Sequence, residues 1–384
     1  PYTTLFRSVF IYAAARNDVK AVALEVPGAG QGKSHGAGRV PRCIAGPGPR
    51  RAAAGGVAVN GTVNVGGQLV VGVGGLISST TINNGGVVNV GSGGSSFFTQ
   101  IGNGGVERIM SGGFGPSAFI FSGGSQIIDY GGVDAGTTVY KGGVQTVFGI
   151  ASGAVLSGGT QVINSGGSGV SGVLYDGGVV IASAGGNLLS YIISGNSASI
   201  LALGATVGSA TPGENAITVL GARNTVLLDG ATLLGNIGFA GSANTLTLAN
   251  STTIASGLSL LDDTSANTLV LANQTLSAYS DSTIKANVGS SVLVSGWNTV
   301  SATSGSQLLL AGNISLGGTS SYLAIDGTSY LGLTSKNAAS VTLTAGQVQN
   351  AGTLGVGVGQ TLTLSGTYLQ QGGTYQVGIG PNTS

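Results

Sequence analysis

The 384-residue sequence holds one cysteine (Cys43), one histidine (His35) and eight prolines, and only 7% of it is charged. A single cysteine excludes an intrachain disulfide framework. Residues 55–384 contain neither His nor Cys, which excludes Ser-His-Asp and Cys-His nucleophilic arrangements and His/Cys metal sites there. A thiol-free stretch suits export through an oxidising compartment. Aromatic residues, at 5%, are too sparse for the girdles of an outer-membrane barrel. No run of about 18 apolar residues is free of Gly, Ser or Asn, so a membrane-spanning helix is not expected. Few prolines and no three-residue glycine period exclude collagen. An apolar content of 42% is too high for a solvated coil.

What the chain has in excess is glycine, 73 residues where an ordinary domain carries about 7%. Charge is divided unevenly. Residues 1–54 hold eight basic and two acidic residues, net +6, and residues 55–384 five basic and ten acidic, net −5. The overall +1 therefore says nothing about partners.

The opening Pro1–Ser8 (PYTTLFRS) resembles the in-frame translation of a sequencing-adapter oligonucleotide. Residues 1–54 are accordingly expected to be a non-native or disordered leader. Nothing in them supplies a secretory signal in the required order. Ala21–Val26 reads as a strand, and Pro27 to Ser34 comes close to a phosphate-cradling loop. Pro27 stands where that loop needs Gly, has no N–H to offer a phosphate, and no alternation of strands and helices follows. The basic cluster Arg39–Arg51 reads as a solvated coil, so no nucleic-acid partner is expected.

From Gly55 a repeat begins. Gly-Gly pairs start at 55, 66, 74, 85, 93, 104, 112, 123, 131 and 142, spaced alternately by 11 and 8 residues, a period of 19. The next pair, at 158, comes three residues early, and the pattern resumes at 166, 177 and 185. Apolar columns keep the same period: Val63, Ile82, Ile101, Ile120, Val139, then Val155, Leu174 and Ile193. A second column reads Val71, Val90, Ile109, Ile128, Val147, Ile163 and Ala182. Nineteen residues cannot hold two helices, and each Gly would cost a helix about 1 kcal/mol relative to Ala. β-Branched residues favour strands, and Gly accepts the positive φ of tight corners. Coils stacked about 4.8 Å apart would lay Val63 on Ile82 on Ile101, each coil burying its apolar face against its neighbours. The expected fold is all-β, a parallel β-helix (β-solenoid) of about 19 residues per coil. Gln126 and Gln145, with Gln161 in a similar place, are expected to stack outward as a structural amide ladder.

After about Gly195 the pairs fade, but alternating apolar segments recur, ending at Leu228, Leu248, Leu271, Val294, Leu310, Ile325, Leu343 and Leu364. Residues 55–195 are read as a Gly-Gly repeat solenoid and 196–384 as its degenerate continuation. Together they make about 17 coils over roughly 80 Å; a break near 195–216, around Pro212, is the lesser alternative.

Catalytic, cofactor-binding and metal-binding residues: none are expected. The adjacent pair Asp262-Asp263 would point to opposite faces of a strand and is read as a solvated turn. Gly131-Gly-Val-Asp134 is a lone partial match to a calcium-binding β-roll. A flat threonine array, as crystal-binding solenoids need, is not expected, since Thr62, Thr81 and Thr138 are interrupted by Gln100 and Ala118.

The unit Gly131-Gly-Val-Asp-Ala-Gly-Thr-Thr-Val-Tyr-Lys-Gly142-Gly-Val-Gln-Thr-Val-Phe-Gly resembles the repeat of bacterial autotransporter adhesins of the diffuse-adherence and self-associating type. The Asn-Thr-Leu-x-Leu units resemble the later passenger region of that family, and Gly366 to Val377 the segment that closes such passengers. The resemblance implies a right-handed β-helix displayed on, or secreted from, a Gram-negative cell through type V secretion. It implies a non-enzymatic role in adhesion, self-aggregation or biofilm formation, with other copies or host and abiotic surfaces as partners. It also implies an outer-membrane barrel beyond the C-terminal end. A carbohydrate-active β-helix enzyme is the alternative, and would need Asp or Glu residues converging on one outer face.

Overall fold

The computed structural model describes residues 56–280, 291–334 and 340–377 in full, and the backbone at 24–25, 44–45 and 48–52. The adapter-like start, the Pro27–Ser34 loop and the basic side chains of Arg39–Arg51 lie outside the described residues. So does all but the backbone of Leu24 and Glu25 in the strand read at Ala21–Val26.

One coil shows how the repeat closes. Ser125–Ile128 runs along the first face (face A), Val133–Ala135 along the next (face C), and Thr138–Tyr140 along the third (face B). The chain then re-enters face A at Val144–Val147. Each strand pairs in parallel with its equivalent one coil away, as Gln126 with Gln145, Asp134 with Ala151 and Val139 with Leu156. The whole is a parallel β-solenoid of about 15 turns with ~20 residues per turn. Among the described residues no helix is long and apolar enough to cross a membrane.

The Gly-Gly pairs sit at two of the three corners, and the two glycines do different things. The first takes positive φ (73° at Gly123, 77° at Gly131). The second lies against the preceding coil: a Cβ on Gly124 would strike the Ile101 carbonyl, and one on Gly132 that of Ile109. The third corner, between faces C and B, also takes positive φ, with Gly at 136 and 153 but elsewhere Asn60, Ser79, Phe98, Ser117, Ser171 and Ser190.

Both apolar columns point inward and are fully buried, with one correction. Val139 stacks on Leu156, not on Val155, which lies one residue away and faces out. The three missing residues are therefore shared between two corners. Ile128 to Asp134 is six residues where Val147 to Ala151 is four. Val139 to Val147 is eight where Leu156 to Ile163 is seven. Corners absorb the deletion and the strands keep register.

The ladder runs unbroken across 195–216, Val179 pairing with Ser199 and Ser199 with Thr225. Beyond it the corner before face A changes chemistry. Asn224, Asn244 and Asn267 occupy the place of the second glycine. Each carboxamide donates to a carbonyl of the previous coil (Gly195, Gly221, Gly241) and accepts an N–H from Ala198, Asn224 and Asn244 in turn. Face C ends at Thr253–Ile254. Among the described residues, later coils carry strands on faces A and B only, and counting by face A gives about 15 turns rather than 17. Val294 and Leu310 belong to face B, whereas the face-A equivalent after Leu271 is Ala302, with Ile325 next. Counting 294 and 310 as separate coils merges strands from two faces. The sole tryptophan, Trp297, plugs this wider section, edge-on to Phe239 at 5.1 Å and donating to the Leu260 carbonyl at 2.9 Å.

Candidate functional site

The inner column of face A is aliphatic at Leu69 and Val88, then polar over four coils at Glu107, Gln126, Gln145 and Gln161, then aliphatic again from Val180. All four polar side chains are fully buried. The glutamine ladder thus points inward, against the sequence expectation. Its amides align in one direction. Gln161 Nε2 donates to Gln145 Oε1 (2.6 Å), Gln145 Nε2 to Gln126 Oε1 (2.8 Å), and Gln126 Nε2 to Glu107 Oε2 (2.9 Å). The Tyr191 hydroxyl closes the far end on Gln161 Oε1. Its ring fills the space that Gly169 and Gly172 leave open in neighbouring inner rows.

Two carboxyl groups terminate this chain of dipoles. Thr99 donates to Glu107, while Asp134 receives Thr137 at 2.8 Å, Gln145 at 2.9 Å and Gln126 at 3.2 Å. No cation lies among these partners. Burial, only partly offset by these donors, raises the Glu107 carboxyl above its ordinary range. Burial chiefly, with the neighbouring Glu107 adding to it, pushes Asp134 up to about 7. Asp134 is the acid of the partial calcium motif; its oxygens are taken by side-chain donors in the core. The spine is a structural element closed to solvent.

On the outer surface of the described residues, charge is sparse. Arg108 pairs with Asp129 at 2.6 Å across adjacent coils. Asp176, Glu214 and Asp263 are exposed one at a time on different coils. Of the adjacent acids, Asp262 is buried rather than solvated, accepting from Thr264, Ala266 and Asn267 and so tying its turn; Asp263 is exposed. A groove of about 380 Å³ near Tyr191 and Ile192 carries a single carboxylate, Glu214. Among the described residues no three His, Cys, Asp or Glu side chains gather as a metal site.

The outer column of face B reads Thr62, Thr81, Gln100, Phe119 and Thr138. Phe119, not Ala118, is the second interruption; Ala118 is buried. A threonine row the sequence reading missed lies on face A, where Thr225, Thr245, Thr268 and Thr299 are in register. Its signal was the threonine that follows each corner asparagine. Among the described residues face C has eleven strands, and their one charged residue is the inward Asp134. The face carries Leu76, Phe97, Phe114, Val133 and Ile150 outward, with Phe98 at its corner.

No protein-family model matches this chain, and no curated protein matches it. Among solved structures it is similar to the TibC-catalysed, hyper-glycosylated TibA fragment. That likeness has 21% identity and a TM-score of 0.41, over 86% of this chain and 93% of that one.

Proposed function

We propose that this chain is the passenger of a Gram-negative autotransporter adhesin, displayed at the cell surface and acting by adhesion or self-aggregation rather than catalysis. The observation that carries this reading is the outer surface. It is a long ladder of coils whose faces are sparsely charged and rich in β-branched residues, with polar rows such as Thr225–Thr245–Thr268–Thr299 repeated at rung spacing. Such a surface adheres through many weak contacts along its length. The repeat resemblance and the absence of His and Cys from residues 55–384 point the same way. A carbohydrate-active enzyme would use paired carboxylates about 5–10 Å apart on one outer face. The scatter of Asp176, Glu214 and Asp263, and the lone Glu214 in its groove, speak against that.

The test is display of the full chain, fused to a membrane anchor, on a non-adherent bacterium. Faster settling or greater attachment than an anchor-only control is the expected result. Equal settling and equal attachment would refute the reading.

A further inference from the structure

We infer that the corner at Ser157, where face B turns into face A, is a notch that binds one neutral pyranose unit at the end of a glycan. The inference goes beyond the adhesive reading and does not depend on it.

The outer column of this corner reads Phe121, Tyr140, Ser157 and Tyr175, each one rung from the next. Phe121 and Tyr140 stack at 5.2 Å with their planes 5° apart. The other face of the Tyr140 ring fronts the Ser157 rung, where the column drops to a small exposed residue. Tyr175 restores a ring one rung further on and is 46% exposed. Gly102 is also small, but it has Asn83 rather than a ring beyond it and keeps its corner residue, Asn103.

The shortened backbone is the second observation. Lys141 separates Tyr140 from Gly142, and Asp176 separates Tyr175 from Gly177, whereas Ser157 runs directly into Gly158. The rung that lost its ring has therefore also lost its corner residue. A Cβ on Gly158 would meet the Lys141 Cβ at 3.2 Å and the Asp176 carbonyl at 3.4 Å. The gap is flanked by one cationic and one anionic residue, one from each neighbouring coil. Lys141 makes no ion pair among the described residues. Asp176 accepts the Asn196 N–H through Oδ1 at 2.6 Å, which leaves its second oxygen available.

Spacing and charge decide the occupant. Tyr140 and Tyr175 stand two rungs apart, about 9.6 Å at the usual strand spacing. A flat aromatic group in contact at about 3.5 Å with each ring would need only about 7 Å. A puckered pyranose is thicker, since it carries axial hydrogens on both faces, and can set C–H groups against both rings at once. Its apolar faces match two π surfaces, and its rim of hydroxyls matches Ser157, Lys141 and Asp176. Asp176 would repel an acidic ligand and Lys141 a basic one. Neutral hydroxyls can accept from the ammonium and donate to the free carboxylate oxygen. One missing rung admits one ring, so the notch suits a terminal sugar whose chain leaves into solvent.

The experiment uses the purified full chain and ligand-observed NMR with five neutral disaccharides: maltose, cellobiose, lactose, mannobiose and diacetylchitobiose. At least one should bind with Kd near about 1 mM, the range open to one small ring held on two faces. Glucuronic acid and glucosamine, the charged probes, should bind more weakly. Ser157→Tyr continues the aromatic column through the notch and should abolish binding, while the melting temperature holds or rises. Tyr175→Ala removes an exposed ring and should weaken binding at least about 10-fold. No binding by any of the five disaccharides, or binding that survives Ser157→Tyr, would overturn the inference. Tighter binding of either charged probe would overturn the neutral assignment. Cell settling is read apart from this. A sugar-binding chain that fails to settle or attach cells would sink the adhesive reading alone, and attachment undiminished by Ser157→Tyr would leave that reading standing without this notch.

Discussion

Gln145 on face A donates through Nε2 to Asp134 Oδ2 on face C of the preceding coil, 2.9 Å away and eleven residues back along the chain. This contact ties two coils and two faces through the core. It exists because Asp134 is buried without a counter-ion.

The pair Asp134 and Glu107 makes stability depend on pH. Both carboxyls are raised in the folded chain, Asp134 to about 7, whereas an unfolded carboxyl titrates near 4. Between about pH 4 and 7 the folded chain binds more protons, so stability falls as pH rises. Thermal melts should give a higher midpoint at pH 5 than at pH 8. Glu107→Gln, which extends the amide ladder by one step, should flatten that slope. A midpoint that climbs from pH 5 to 8 would contradict the assignment.

Tyr191 and Gly172 should behave as one packing unit. A Cβ on Gly172 would enter the Tyr191 ring, and one on Gly169 would meet its hydroxyl. Gly172→Ala should cost about 1–3 kcal/mol by overpacking, and Tyr191→Ala about 3–5 kcal/mol through the cavity it leaves. Combined, they should cost clearly less than their sum in a denaturant double-mutant cycle. Strict additivity would mean the ring does not occupy that space.

Corner positions of similar appearance should respond differently. Gly124→Ala drives a methyl into the Ile101 carbonyl and should destabilise by about 2 kcal/mol or more. Ser117→Gly, at a φ of 61°, should stay within about 0.5 kcal/mol, relief of strain offsetting lost chain restriction. Urea midpoints compare the two; a larger loss at Ser117 would reverse the reading of the corners.

These corners explain how much of the fold was legible. Paired glycines marked two of them, and the columns at Val63 and Val71 followed, because positive φ and close backbone approach leave glycine few substitutes. A single three-residue shift points to Val155 where Leu156 is buried, because the missing residues fall at two corners. The inward Gln ladder was readable: Gln126 stands two residues before Ile128 and alternation puts both on one side of a strand. The usual expectation that amides face water hid it. In the second half, strands of faces A and B have the same apolar alternation. What separates them is the asparagine before Thr225, Thr245 and Thr268, absent before Val292–Ser295 and Gln307–Leu310. The outer faces could not be assigned in advance, since neutrality over a face emerges only when coils are stacked.

Each coil pairs only with the coil before and the coil after. Tension applied to the two ends of such a chain loads one rung at a time instead of shearing all rungs together. Each rung that yields frees about 20 residues, roughly 65 Å of slack at extended-chain length, while the remaining rungs stay folded. The rod would dissipate a pull as a series of small extensions, behaving as a shock absorber whose step is set by the length of one coil.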